Sequence, residues 1–159
     1  MTKIITHIEA LEKMRSYCAY QERSHQEVAN KLFKFGLNQD EKDYVILCLM
    51  QGDYLNEQRY AEAFVSGKYR IKKWGRKKII LALKQKDVSE ANIKLGLKEI
   101  DDNLYYQNLL DLTQKKWSLL KESNKFKKEQ KLKAYLFGKG YESQHIQNAI
   151  DDLYAQENE

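Results

Sequence analysis

Apolar residues recur along the chain at the spacing of helical faces, and one pattern of them occurs three times. Each copy has an apolar pair at positions i and i+4, a helix-ending residue at i+8 and an apolar residue at i+9. The copies are Val28, Leu32, Gly36 and Leu37; Ile79, Leu83, Asp87 and Val88; and Leu132, Leu136, Gly140 and Tyr141. The pair lies on one face of a helix, the residue at i+8 lies where a helix ends in the left-handed conformation, and the next apolar residue folds back onto the core. Each copy therefore predicts a helix, a tight turn and the start of a second helix.

Each copy is flanked by further helical patterns. An apolar i, i+4 pair follows each one, at Val45 and Leu49, at Ile93 and Leu97, and at Ile146 and Ile150. A longer amphipathic segment precedes each one, over Thr6–Gln21, Asn56–Lys72 and Asp102–Glu122. The pattern predicts three three-helix repeats, at residues 6–51, 53–100 and 102–156, and nine helices. Because small repeats pack mainly on their neighbours, we expect an elongated, curved body.

The composition favours an all-α fold. The chain has 159 residues, no proline and only seven glycines, so little interrupts helical hydrogen bonding. Start signals agree with this, since Thr6, Ser24 and Asn38 each precede a glutamate by three residues. Asn56, Ser89 and Ser143 are further candidate caps.

The charge distribution singles out one segment. Lys and Arg number 28 and Asp and Glu 23, so the net charge is +5, yet the stretch from Ala63 to Lys86 has nine cationic residues and no acidic one. The rest of the chain is slightly acidic. Clustered positive charge destabilises a compact state through self-repulsion unless a polyanion or an acidic surface lies against it. The segment is therefore either a solvated helix face or a binding surface.

Several classes of function are disfavoured. Cys18 and Cys48 lack metal or redox spacing, and the three histidines are scattered, so we expect no metal site and no cofactor. The sequence shows no paired carboxylates, no nucleophile–base set and no glycine-rich phosphate loop. We therefore expect that the protein is not an enzyme. No window approaches the length of a membrane span, and the N-terminus does not read as a signal peptide, which predicts a cytoplasmic protein without membrane contact.

The segments around the basic stretch resemble the signature of the RecX regulatory proteins of bacteria. In that signature, a Gly-aromatic-Leu-Asp/Asn turn precedes Arg-aromatic-Ala-x-x-Phe, and a basic segment, a Gly-led helix and Lys-Gly-Val follow. This chain reads GDYLN at 52–56, RYAEAF at 59–64, WGRKKI at 74–79 and KDV at 86–88. The segments 24–36 and 132–141 resemble the flanking repeats of the same family. Asp87 replaces the usual glycine, and Trp74-Gly75 departs from the frequent Gly-x-Gly-Pro.

The resemblance implies a non-enzymatic regulator of the RecA recombinase. RecX proteins lie in the groove of the RecA filament on single-stranded DNA and restrain its growth, ATP hydrolysis, strand exchange and co-protease activity in the SOS response. By this resemblance we expect a RecA filament as partner, with single-stranded DNA as part of that complex, and a monomeric protein.

The candidate partner-binding residues lie around one helix junction, where they have no acidic partner at i, i+4. They are Lys68, Arg70, Lys72, Lys73, Trp74, Arg76, Lys77 and Lys78. The aromatic residues Tyr69 and Trp74 either stack on a partner or anchor the neighbouring helix. The alternative function is direct nucleic-acid binding by helical repeats.

Overall fold

The structure, a computed structural model, describes residues 2–158, and over that range every regular element is an α-helix. This confirms the all-α prediction. The helices are α1 (His7–Tyr20), α2 (His25–Phe33), α3 (Gln39–Gln51), α4 (Glu57–Arg70), α5 (Arg76–Gln85), α6 (Glu90–Leu97), α7 (Asp102–Leu119), α8 (Lys125–Gly138) and α9 (Ser143–Glu157).

The predicted helix starts are confirmed at five of six positions. The side chains of Thr6, Ser24 and Asn38 each accept the backbone N–H three residues on, and Asn38 with Glu41 forms a complete capping box. Asn56 and Ser89 accept the N–H of Arg59 and Asn92 at 3.0 and 3.2 Å. Ser143 was a wrong prediction. It is the first residue of α9, and the residue at the cap is Glu142, whose carboxylate makes no capping bond.

The three predicted helix stops all have left-handed backbone. Their φ angles are 72° at Gly36, 59° at Asp87 and 99° at Gly140. After two of these stops, the amides of Val88 and Tyr141 donate to the carbonyls five residues earlier, at 3.1 and 3.3 Å. This bond satisfies a carbonyl that the helix end would otherwise leave unpaired, and it turns the apolar side chain inward.

The chain packs as two compact units. The first holds the residues up to Phe64 together with Leu83–Gly96, and the second holds Val65–Ala82 together with the chain from Leu97 onward. Helices α4, α5 and α6 thus contribute residues to both units. The repeat boundaries at 51–53 and 100–102, and the elongated shape, stay predictions.

The first unit packs α1 and α2 against α3. Its main cluster of buried side chains consists of Ala10, Leu11, Met14, Cys18, Val28, Leu32, Leu37, Val45, Leu49 and Leu55. The i, i+4 pair Val28 and Leu32 is fully buried there, as the repeated pattern predicts. Burial of such side chains is the principal stabilising contribution to a helical bundle.

The second unit packs α7, α8 and α9 against one another. Its core contains three large buried tyrosines, Tyr69, Tyr105 and Tyr141, beside aliphatic residues such as Leu132 and Leu136. A buried hydroxyl needs a hydrogen-bond partner, since leaving one unpaired costs about 1–3 kcal/mol. The hydroxyls of Tyr105 and Tyr141 each bond to the backbone at the junction of α4 and α5, which carries the predicted basic segment, whereas that of Tyr69 bonds to the carbonyl of Glu99.

Candidate functional site at a basic helix junction

All eight predicted binding residues lie in the second unit, around a five-residue turn that joins α4 to α5. We call this set the basic junction. Its members are Lys68, Arg70, Lys72, Lys73, Trp74, Arg76, Lys77 and Lys78. The second of the two units thus brings together the residues that the charge pattern selected.

Side chains from α7 and from the turn between α8 and α9 hold the end of α4 and the turn that follows it. The amide of Asn108 donates to the carbonyl of Tyr69 at 2.8 Å. The hydroxyl of Tyr141 donates to the carbonyl of Lys73 at 2.7 Å. Lys73 has a φ of 55°, a left-handed conformation that costs a non-glycine residue about 1–2 kcal/mol. These bonds help to hold the strained turn in one conformation.

The start of α5 is capped by groups distant in sequence. The N–H of Arg76 donates to the hydroxyl of Tyr105 at 2.8 Å. The N–H groups of Gly75 and Lys77 donate to the carbonyls of Lys139 and Gly140, at 2.7 and 2.9 Å. Three of the amides at this helix start are therefore satisfied from α7 and from the turn between α8 and α9.

Gly75 is required by the close approach of two backbone segments. A Cβ atom at this position would lie 2.2 Å from the carbonyl carbon of Gly140 and 2.3 Å from the amide nitrogen of Tyr141. Because both contacts are with backbone atoms, neither can move aside as a side chain would. The glycine that leads this helix in the family signature thus has a steric reason in this chain.

The guanidinium of Arg76 is engaged within the protein. It contacts Glu142 at 3.0 Å and Asp102 at 2.6 Å, and it lies over the ring of Tyr105 at 4.1 Å from the centroid. Burial by itself would raise the pKa of Glu142, but hydrogen bonds from Tyr105, from its own amide and from Arg76 lower it overall. Arg76 therefore holds α5 in place, and a contact of this residue with a partner stays a prediction.

The remaining cations differ in their exposure. Arg70, Lys72 and Lys77 are exposed, whereas Lys68, Lys73 and Lys78 are half-buried. The ammonium of Lys73 lies 4.0 Å from the carboxylate of Asp111, at the outer limit of an ion pair. Surface pairs of this kind contribute little and are screened by salt. The exposed group is thus the part of the basic junction most accessible to a partner.

The two aromatic residues have different roles. Tyr69 is fully buried, and its hydroxyl donates to the carbonyl of Glu99 at 3.1 Å, so it anchors α4. Trp74 is half-buried, with the ammonium groups of Lys68 and Lys78 at 4.8 and 4.4 Å from its ring. Cation–π attraction to the indole therefore helps to fix two of the positive charges.

Two residues that the sequence analysis did not predict also lie at the site. Phe137 is in α8, and Lys139 is the residue that caps the C-terminus of α8. Phe137 is 56% exposed, and the ammonium of Lys77 lies 5.2 Å from its ring. Lys139 is half-buried, and burial together with the charges of Lys78 and Lys72 lowers its pKa. Like charges held this close favour a bound anion, because the anion relieves their repulsion. No sequence signal links Lys139 to residues 61 or more positions away.

The arrangement is suited to binding a partner of negative charge. The backbone is held by the bonded N–H groups at the start of α5, by the left-handed turn at Lys73 and by the close packing at Gly75. The lysines project from this backbone as point charges. Across residues 2–158, no cluster of three His, Cys, Asp or Glu side chains has the arrangement of a metal site. Over the same range, none of the helices has both the length and the apolar character needed to cross a membrane.

Comparison with protein families gives two matches, and both are to domains of the same family. Residues 56–97 match the second three-helix domain of RecX, and residues 103–150 match the third three-helix domain of RecX. Together these matches cover more than half of the chain, and they include the whole basic junction. They agree with the resemblance seen in the sequence alone.

Known relatives give the same result. The chain is 35% identical over 122 residues to the regulatory protein RecX of Clostridium perfringens strain 13, covering 76% of this chain and 57% of that one. It thus spans little more than half the length of this relative. A second RecX, from Prosthecochloris aestuarii, is 28% identical over 145 residues, with 91% and 93% of the two chains covered.

A solved structure extends the similarity to the fold. The crystal structure of RecX from Lactobacillus salivarius superposes with a TM-score of 0.84 at 25% identity, and covers 94% of this chain and 97% of its own. Sequence matches and fold therefore agree over almost the whole chain. The chain belongs to the RecX family of regulatory proteins.

Proposed function

We propose that this protein binds the RecA filament on single-stranded DNA and modulates its recombinase, ATPase and co-protease activities, in DNA repair and the SOS response. It acts by binding and has no catalytic activity of its own. The proposal includes a cytoplasmic location and a monomeric state.

The observation that carries the proposal is family membership over nearly the whole chain, since relatives are named regulatory proteins. The basic junction supports a partner of negative charge. Its exposed cations Arg70, Lys72 and Lys77 project from a backbone that one buried and two partly buried hydrogen bonds fix. A preorganised surface loses less conformational entropy on binding, which favours affinity.

The second candidate function is direct binding of nucleic acid without RecA. The observation that favours it is the placement of Trp74 between Lys68 and Lys78, because aromatic rings beside cations are typical of surfaces for single strands. The two functions differ in one measurable respect, which is whether tight association requires RecA.

The test is a titration of the purified protein into RecA assembled on single-stranded DNA. We expect the ATPase rate and the mean filament length to fall at stoichiometric or lower amounts of protein. The protein alone should show no ATPase, nuclease or protease activity. An ATPase rate and a filament length that excess protein leaves unchanged would refute the proposal, and tight binding to DNA alone would favour the second function.

A further inference from the structure

A cleft in the first unit combines aromatic and cationic side chains outside the basic junction. It is an open cleft of about 490 Å³ beside the C-terminal half of α1 and α2. Its lining includes three aromatic residues and three cations, which are Tyr17, Tyr20, Phe35, Lys13, Arg23 and Lys31, and no carboxylate of the described residues lines it. Four of these six residues lie outside the segments that resemble the RecX family, whereas Lys31 and Phe35 lie within the segment 24–36.

The inner wall of the cleft is fixed. The guanidinium of Arg23 stacks 3.6 Å from the centroid of the Tyr17 ring, and its Nε donates to the carbonyl of Tyr17 at 2.9 Å. Another nitrogen of Arg23 lies 3.9 Å from Glu27, so part of its charge is neutralised. Tyr17 and Phe35 pack against the buried core of the unit. These groups form a rigid support.

The outer wall of the cleft presents an exposed aromatic ring and two lysines. The side chain of Tyr20 is 83% exposed, an unusual position for a large aromatic ring. Among the described residues, neither Lys13 nor Lys31 makes an ion pair, and the ammonium of Lys31 lies 5.4 Å from the Tyr17 ring. The cleft is thus lined by an exposed ring, with the guanidinium of Arg23 at 5.9 Å from its centroid, and by two lysines that form no ion pair among the described residues.

We propose that this cleft binds one nucleotide of a single-stranded nucleic acid. The base stacks on Tyr20, and the adjacent phosphate lies between Lys13 and Lys31. A nucleotide satisfies both features of the outer wall, because every base has a π face and every linkage carries a negative charge. An acidic peptide would pair with the two lysines but leave the ring of Tyr20 exposed to water. The inference does not depend on RecA.

Photochemical cross-linking of the full chain tests the site without RecA. The probe is a (dT)12 oligonucleotide with 5-iododeoxyuridine at one internal position, and mass spectrometry locates the adduct. We expect an adduct on Tyr20. Lys13→Gln/Lys31→Gln should reduce its yield about fivefold or more, because the phosphate contact is lost.

A second aromatic–lysine pair in the same unit provides the matched control. Phe33 is 60% exposed with the ammonium of Lys42 at 5.7 Å from its ring, and neither residue lines the cleft. Phe33→Ala/Lys42→Gln should leave the Tyr20 adduct unchanged. Unlabelled (dT)12 should suppress the adduct, whereas polyglutamate at equal charge should suppress it far less.

Three outcomes would overturn the inference. They are the absence of an adduct on Tyr20, an equal loss of the adduct in the control variant, and equal suppression by polyglutamate. The last result would identify the cleft as a surface for acidic peptides. Because RecA is absent throughout, failure here leaves the proposed regulation of RecA untouched.

Discussion

Removal of a single hydroxyl group, in Tyr105→Phe, tests whether the second unit builds the basic junction. Tyr105 is 1% exposed, and its hydroxyl accepts the N–H of Arg76 at 2.8 Å while donating to Glu142. Phenylalanine keeps the ring and its packing but leaves the N–H of Arg76 and a partly buried carboxylate without this partner. An unmade bond of this kind costs about 1–3 kcal/mol, so we expect a loss of about 2 kcal/mol.

The adjacent residue on α7 supplies the control. The hydroxyl of Tyr106 donates to Asp152 at 2.7 Å, but this bond lies at the surface, where water replaces it. Tyr106→Phe should therefore change the free energy of unfolding by less than about 0.5 kcal/mol. Both variants remove one hydroxyl from the same helix, so the difference between them measures the role of the buried bond.

Urea unfolding and amide hydrogen exchange measure the effect. We expect a lower urea midpoint for Tyr105→Phe with an unchanged m value, which indicates a change of stability alone. The amide of Arg76 should also exchange faster in this variant than in Tyr106→Phe. Equal stability of the two variants, or an unchanged exchange rate at Arg76, would refute the proposed capping of α5 by Tyr105.

Three further predictions test the helix stop at Asp87, the close backbone contact at Gly75 and the charge of Glu142. Asp87→Gly should be neutral or stabilise by up to about 1 kcal/mol in thermal unfolding, because glycine removes the left-handed strain although it loses a 3.0 Å bond from Gln26; a clear fall in melting temperature would contradict this. Gly75→Ala should destabilise by more than about 2 kcal/mol, because the added Cβ clashes with the backbone of Gly140 and Tyr141. Gly138→Ala should stabilise by about 0.5–1 kcal/mol, because a Cβ there meets nothing among the described residues within 4 Å beyond its chain neighbours and its own helix backbone; equal effects of the two variants would contradict the contact at Gly75. Glu142→Gln should cost about 1–3 kcal/mol at pH 7. A carboxyl group whose pKa is lowered in the fold contributes its full stabilisation above the ordinary value of 4.5, and the contribution disappears only below the lowered pKa of the folded state, so the difference from wild type should shrink progressively as the pH falls below 4.5; a difference that stays constant on acidification would argue against a charged role.

The sequence predicted the local features of the fold because local stereochemistry decides them. The left-handed stop at Asp87 was predicted although this residue is not glycine, since the neighbouring apolar residues repeat the pattern around Gly36 and Gly140. Helix caps were equally accessible, as a cap bonds three residues along the chain. The error at Ser143 was a shift of one position, the usual uncertainty of a helix end.

The parts of the site that sequence could not supply depend on contacts between distant residues. Arg76 had no acidic partner within its own helix, yet Asp102 and Glu142 lie 26 and 66 positions away along the chain. Lys139 approaches Lys72 and Lys78 only because the turn after α8 packs on the start of α5. The charges counted along the chain show that this surface is positive. Only the packing shows which of its cations already contact acidic groups of the protein and which are exposed to a partner.

The measurement that tests the central claim most directly is co-sedimentation with RecA filaments on single-stranded DNA at two salt concentrations. The variant is Lys72→Glu/Lys77→Glu, which reverses two exposed charges of the basic junction and spares Arg76. The control is Lys94→Glu/Lys98→Glu, which makes the same change of charge at exposed positions outside that set.

If the basic junction faces the filament, the first variant should bind more weakly than wild type and with a flatter dependence on salt, because each lost contact removes counterion release. The control should bind as wild type does, and both variants should retain the thermal stability of the unmodified chain. Wild-type binding by Lys72→Glu/Lys77→Glu at both salt concentrations would contradict the account, and would show that the basic junction is a solvated face rather than the surface that meets RecA.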